Sequence, residues 1–118
     1  MNLEELLKLA AEPHLITSAA KANEYLARLQ AFISDLRLEV SELELKSDLE
    51  LNSIFKTGIS EQKGRAEWKV SLIYREWQTK KGLLSDVRAV RRNLERHADL
   101  LMNQEKYSSK YQNKSYLG

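Results

Sequence analysis

Positions 66, 70, 73, 77, 80, 84, 87, 91, 94, 98 and 101 step by alternating fours and threes. Nine of these eleven are apolar: Ala66, Val70, Ile73, Trp77, Leu84, Val87, Leu94, Ala98 and Leu101. Such spacing is a heptad seam. It predicts one helix presenting an apolar stripe to a partner for about five heptads, roughly 50 Å at 1.5 Å per residue. Lys80 and Arg91 are the charged members; their stems can pack while their heads reach water, and they can also set register between subunits. Gly82 lies inside the same helix, where glycine costs on the order of 1 kcal/mol relative to alanine. The heptad phase crosses it, so the helix is expected to continue there, bent or closely approached by another backbone.

Upstream, Ala22, Leu26, Leu29, Ile33, Leu36, Val40 and Leu43 form a second seam. Its phase is expected to fail at Ser47 and Glu50, where Leu45, Leu49 and Leu51 take over an adjacent face before Ile54 and Phe55. In front of this seam, Asn2 can cap a short helix whose Leu3, Leu6, Leu7 and Ala10 share a face. Pro13 ends that helix, and Thr17 or Ser18 offers the next N-cap. Gly58 suits a left-handed C-cap, and Ser60 followed by Glu61 suits a restart.

Helices are thus expected over residues 3–11, 18–56 and 60–105, within one domain over 1–105. Two long helices joined so tightly must run antiparallel. The fold class is all-α: a long antiparallel helical hairpin with a short N-terminal helix, assembling into a helical bundle or coiled-coil oligomer. Assembly is inferred because Trp68 and Leu72 fall outside the main seam and would stay wet in a monomer. With Ile73, Trp77, Leu84 and Val87 they make the expected oligomer or partner face. The local alternative for Trp68 is packing over the turn against Phe55 or Ile59.

Composition narrows the class. In 118 residues, 42% are apolar and 31% charged, which describes one soluble domain. Cysteine is absent, so no disulfide or thiolate metal site is available. No apolar run reaches membrane-spanning length, and the first residues, with Glu4 and Glu5, lack a signal-peptide plan, so an intracellular protein is expected. His14 and His97 have no partner at metal-ligand spacing. Ser85 and His97 would stand about 18 Å apart on a helix, too far for a triad. Gly58 and Gly64 lack the ending of a phosphate loop. No catalysis, cofactor or small-molecule substrate is expected.

Charge placement points elsewhere. Pairing the hairpin about Gly58 gives the turn half, residues 37–79, a net charge of −1; the open half, residues 17–36 and 80–118, carries +5. In the open half Lys81, Arg88, Arg92 and Arg96 follow at intervals of seven, four and four, beside Arg91, as a basic stripe suited to an anion. A solvated face, or a head-to-tail contact with the acidic end of another subunit, would explain the same pattern. Residues 106–118 lose all apolar period and read as a polar tail. Lys106, Tyr107, Lys110 and Tyr111 combine cations for phosphates with rings on which unpaired bases stack. The other account of the tail is a solubilising terminus whose tyrosines fold back on the body.

One family has this layout. A short helix, a long helix, a connection flanked by Lys56, Lys63 and Arg65, and a last helix with Tyr74, Trp77, Leu84, Val87, Arg88, Arg91, Leu94 and His97 resemble the UvsY-type recombination mediators of tailed phages. The resemblance implies a small, helical, oligomeric protein in the cytoplasm of a bacterial host. It also implies binding of single-stranded DNA and help in loading a RecA-type recombinase in place of single-strand-binding protein. The alternative is a small helical inhibitor or adaptor that binds another protein through the Trp68 and Leu72 face and the acidic run at Glu39, Glu42, Glu44, Asp48 and Glu50. A purely structural coiled-coil component is a third reading.

Overall fold

A computed structural model describes the backbone from Met1 to Leu117 and the side chains through Ser108. Its regular elements are all helical among the described residues: α1 (Leu3–Ala10), a 3-10 turn (Pro13–Leu15), α2 (Ala19–Phe55), α3 (Glu61–Lys69) and α4 (Leu72–Leu117). The chain forms two compact units. The terminal unit holds Met1–Phe32 with the chain from Val87 onward, and the central unit is Ile33–Asp86. Among the described residues, no helix is long and apolar enough to cross a membrane.

Short polar side chains set the helix ends, because the first N–H groups of a helix lack internal acceptors. Asn2 Oδ1 accepts from the Glu5 N–H at 2.8 Å, and Ser18 Oγ from the Lys21 N–H at 3.1 Å. Gly58, with φ +81°, follows α2 in the left-handed region, and Ser60 Oγ accepts from the Lys63 N–H at 3.4 Å.

In the terminal unit the core joins Leu6 and Ala10 of α1, Ala22 and Leu29 of α2, and Val87, Leu94, Ala98 and Leu101 of α4. Two polar contacts fasten the entry to α2. The Ala19 N–H donates to Glu105 Oε1 at 3.0 Å, so a carboxylate from α4 answers the positive end of the α2 dipole. His97 Nε2 lies 2.8 Å from the Ile16 carbonyl, which can only accept, so this ring nitrogen donates.

The central unit departs from the sequence expectation in two places. The α2 seam keeps its phase, for Ser47 is fully buried and Glu50 half-buried, while Leu45 and Leu49 are exposed. The cause is Trp68, whose indole N–H donates to Ser47 Oγ at 2.9 Å and to the Ser47 carbonyl at 3.0 Å. A polar residue in the seam supplies the acceptor that a buried indole needs.

The helix expected over 60–105 is interrupted at Val70 and Ser71. The Val70 N–H turns back to the Glu67 carbonyl at 3.3 Å, and Ser71 Oγ caps α4 by accepting from the Tyr74 N–H at 3.2 Å. Helix α3 buries Gly64 and Trp68, one turn apart, and leaves Ala66 and Val70 exposed. An unbroken seam would have buried the two smaller side chains instead, and the indole removes more apolar surface from water. The α4 seam therefore starts at Ile73. Trp68 packs edge-on against Tyr74 at 4.6 Å between centroids, and Tyr74 against Trp77 at 5.8 Å.

Beyond the break, α4 runs through Gly82 and on past 105, where a polar tail was expected, to Leu117. Extending a helix needs no new nucleus and hence no apolar period.

The glycines yield a test. A Cβ at Gly82 would meet nothing within 4 Å, so no other backbone approaches it, whereas one at Gly64 would lie 2.7 Å from Phe55 Cε1. Gly82→Ala should raise unfolding stability by about 0.5–1 kcal/mol. Gly64→Ala should lower it by about 1–3 kcal/mol through overpacking. Urea denaturation followed by circular dichroism measures both, and shifts of the same sign would contradict the packing at Phe55.

Candidate nucleic-acid interface

In the terminal unit the α4 seam turns Val87, Leu94, Ala98 and Leu101 inward, so side chains at 88, 92 and 96 emerge on another face. Arg88, Arg92 and Arg96 are all exposed and follow one another at single-turn spacing. They form no ion pair or hydrogen bond among the described residues.

Four other cations of this unit, Lys8, Lys21, Arg28 and Arg91, are answered locally. Lys8 pairs with Glu4 at 3.6 Å, and Lys21 and Arg28 each reach Glu24 at 3.2 Å. The Lys21 ammonium, hydrogen-bonded to Glu24 and aided by Arg28, holds that carboxyl below its ordinary range. Arg91 is half-buried in the seam, and its Nη1 donates to Glu95 Oε2 at 3.2 Å while its Nε is buried with no partner. Of the acids on this stretch of α4, Glu95 is held by Arg91 and Glu105 by the Ala19 N–H, while the exposed Asp99, one turn past Arg96, pairs with none of the row. The three arginines of the row are left without an ion pair, with their guanidinium groups open to phosphate oxygens.

Lys106 and Tyr107 lie further along α4, both exposed. The side chains of Lys110 and Tyr111 lie outside the described residues. Lys81 belongs to the central unit, where its ammonium sits 5.2 Å from the centroid of the Trp77 ring in a cation–π contact. Lys80, the other charged seam residue, pairs with Glu39 at 3.0 Å and so links α4 to α2 within the central unit.

The residues expected to face a partner are mostly turned inward. Trp68, Leu84 and Val87 are buried within the single chain, and Ile73 and Trp77 are half-buried. Trp68 takes the local course, near the turn, but its polar partner is Ser47. Leu72 alone of that set is exposed, at 81%. A different stripe, Leu38, Leu45 and Leu49, stands in water on α2. Its signal lies in the spacing of 38, 42, 45 and 49, but the phase change expected at Ser47 places the leucines at 45 and 49 in a rotated core.

Among the described residues no group of three histidine, cysteine, aspartate or glutamate side chains could hold a metal ion. In the central unit a groove lined by Glu39, Glu42, Leu43, Lys46, Glu76 and Lys80 mixes both signs of charge and is crossed by the Lys80 to Glu39 pair. Such a lining offers no concentrated site for an anion. In comparisons with known proteins, no family model matches this chain, and neither a curated protein nor a solved structure matches it.

Arg91 separates structural from binding cations. Arg91→Leu fills a seam position with an apolar side chain and removes a buried unpaired Nε. Stability should stay within about 1 kcal/mol of the parent or rise above it. Affinity for a single-stranded oligonucleotide, measured by fluorescence anisotropy, should hardly change; a large fall would make Arg91 a phosphate contact.

Proposed function

We propose that this protein is a non-enzymatic single-stranded DNA-binding assembly factor, an antiparallel helical hairpin that self-associates. On the UvsY-type resemblance it would help load a RecA-type recombinase in place of single-strand-binding protein. The observation that carries the reading is the exposed row of Arg88, Arg92 and Arg96, which has no acidic partner among the described residues. Phosphate neutralisation with counterion release is the strongest attraction open to such a row. Lys106 extends the charge along α4, and the exposed ring of Tyr107 supplies a face for an unpaired base. Antiparallel pairing is supported in the central unit, where Lys80 of α4 reaches Glu39 of α2.

A second reading, a protein-binding inhibitor or adaptor, draws on the exposed Val70 and Leu72 at the break between α3 and α4. It would need no phosphate contacts.

Salt dependence distinguishes the two. Arg88→Ala with Arg92→Ala should weaken binding to single-stranded DNA of any sequence and flatten the plot of log affinity against log salt by about 1.4, at ~0.7 per lost phosphate contact. Circular dichroism should be unchanged, because both side chains are exposed. Tyr107→Ala should instead cost about 1–3 kcal/mol if one base stacks there, with the salt slope nearly as before. A parent protein that binds no single strand even at low salt would remove this reading and leave the protein partner.

A further inference from the structure

Opposite its seam, α2 carries a second stripe in the central unit: Asp35, Leu38, Glu42, Leu45 and Leu49, stepping by threes and fours. Leu38, Leu45 and Leu49 are 64%, 62% and 60% exposed. Asp35 and Glu42 make no ion pair among the described residues. Three leucines in line on a helix are a packing surface without its partner.

The occupant can be argued from charge. Two such stripes facing one another would set Asp35 and Glu42 among the acids of the other copy, and like charges across an interface are strongly disfavoured. The complementary surface is on the terminal unit. There Arg96 is without an ion pair, and Leu100, one turn past it, is 53% exposed. Positions 89, 93, 96, 100 and 103 of α4 repeat the four-three spacing of 49, 45, 42, 38 and 35 read backwards. In an antiparallel register with Glu42 opposite Arg96, Leu38 meets Leu100, Leu49 meets Ala89, and Leu45 and Asp35 meet Asn93 and Asn103.

We infer that the Leu38, Leu45 and Leu49 stripe of one copy docks on the Arg96 and Leu100 face of α4 in a second copy. This rests on the self-association proposed above and assigns it a surface. The two faces differ, so the contact is heterologous: each copy offers both halves, and copies add head to tail until a ring closes or the chain of subunits runs on.

Charge reversal tests the assignment, using sedimentation velocity at low salt over a range of concentrations. Glu42→Arg and Arg96→Glu should each raise the dissociation constant by about tenfold or more. Their equimolar mixture should regain assembly, since the two unaltered faces fit each other and the two reversed faces fit each other as well. The double variant Glu42→Arg with Arg96→Glu should regain assembly. Leu45→Ser with Leu49→Ser should weaken assembly while circular dichroism stays that of the parent.

Undiminished assembly of Glu42→Arg and of the leucine variant would overturn the stripe and leave self-association standing. Tighter assembly of Glu42→Arg would overturn it in favour of stripe against stripe. A parent that stays monomeric throughout would overturn both the stripe and the self-association. Strand binding is read separately by anisotropy on Glu42→Arg, which keeps every arginine of the row. Its failure there and in the parent would refute the DNA reading alone.

Discussion

An indole N–H buried without an acceptor is costly, and the central unit is arranged around the acceptor that Ser47 gives Trp68. Trp68 is sealed beneath α2 and donates to both the hydroxyl and the carbonyl of Ser47. Several features that look unrelated follow from it. The heptad seam of α2 holds a serine where an aliphatic residue would pack better. Helix α3 is separate from α4, because continuing one helical phase through Val70 would have turned the indole outward. Ser71 then serves as the cap that starts α4 afresh. Tyr74 and Trp77, the first aromatic residues of the new helix, close over the ring of the old one.

Much of the helical layout was legible in the sequence, and the reasons are local. Asn2, Ser18, Gly58 and Ser60 act through their own backbone neighbourhood, so residue type and position were enough. The seams from Ala22 to Leu43 and from Leu84 to Leu101 were legible because apolar side chains recur at the period of the helix. What escaped was decided between elements. Nothing near Ser47 in sequence says that an indole 21 residues away will need its oxygens. For the same reason Leu45 and Leu49 read as core in the sequence: an apolar residue beside a polar seam position is ambiguous until the polar group's partner is known. Ala66 and Val70 fitted a perfect repeat and still stand in water, since periodicity ranks positions by type and cannot weigh alanine against tryptophan.

The arginine row was legible as a pattern, but its isolation was not. Spacing placed Arg88, Arg92 and Arg96 on one face and set Arg91 beside them. Only side-chain geometry separates the four: Arg91 is spent on Glu95, while the others have no acid to hold. Glu105 tells the same story with the opposite sign. By composition it is one more acid in a basic stretch, yet its oxygen is committed to the backbone of Ala19 and it forms no ion pair with the row.

Both tryptophans of the chain, Trp68 and Trp77, belong to the central unit. Their indoles sit in contrasting surroundings, one donating to Ser47 and the other with a buried Nε1 that has no acceptor. Intrinsic emission excited at the red edge of the absorption band is thus a reporter built into one half of the molecule and blind to the other. The terminal unit, where Tyr25 and Tyr107 lie, would be followed through tyrosine signals alone. Melting curves recorded by the two kinds of chromophore would tell, without any added label, whether the two compact units come apart together or one at a time.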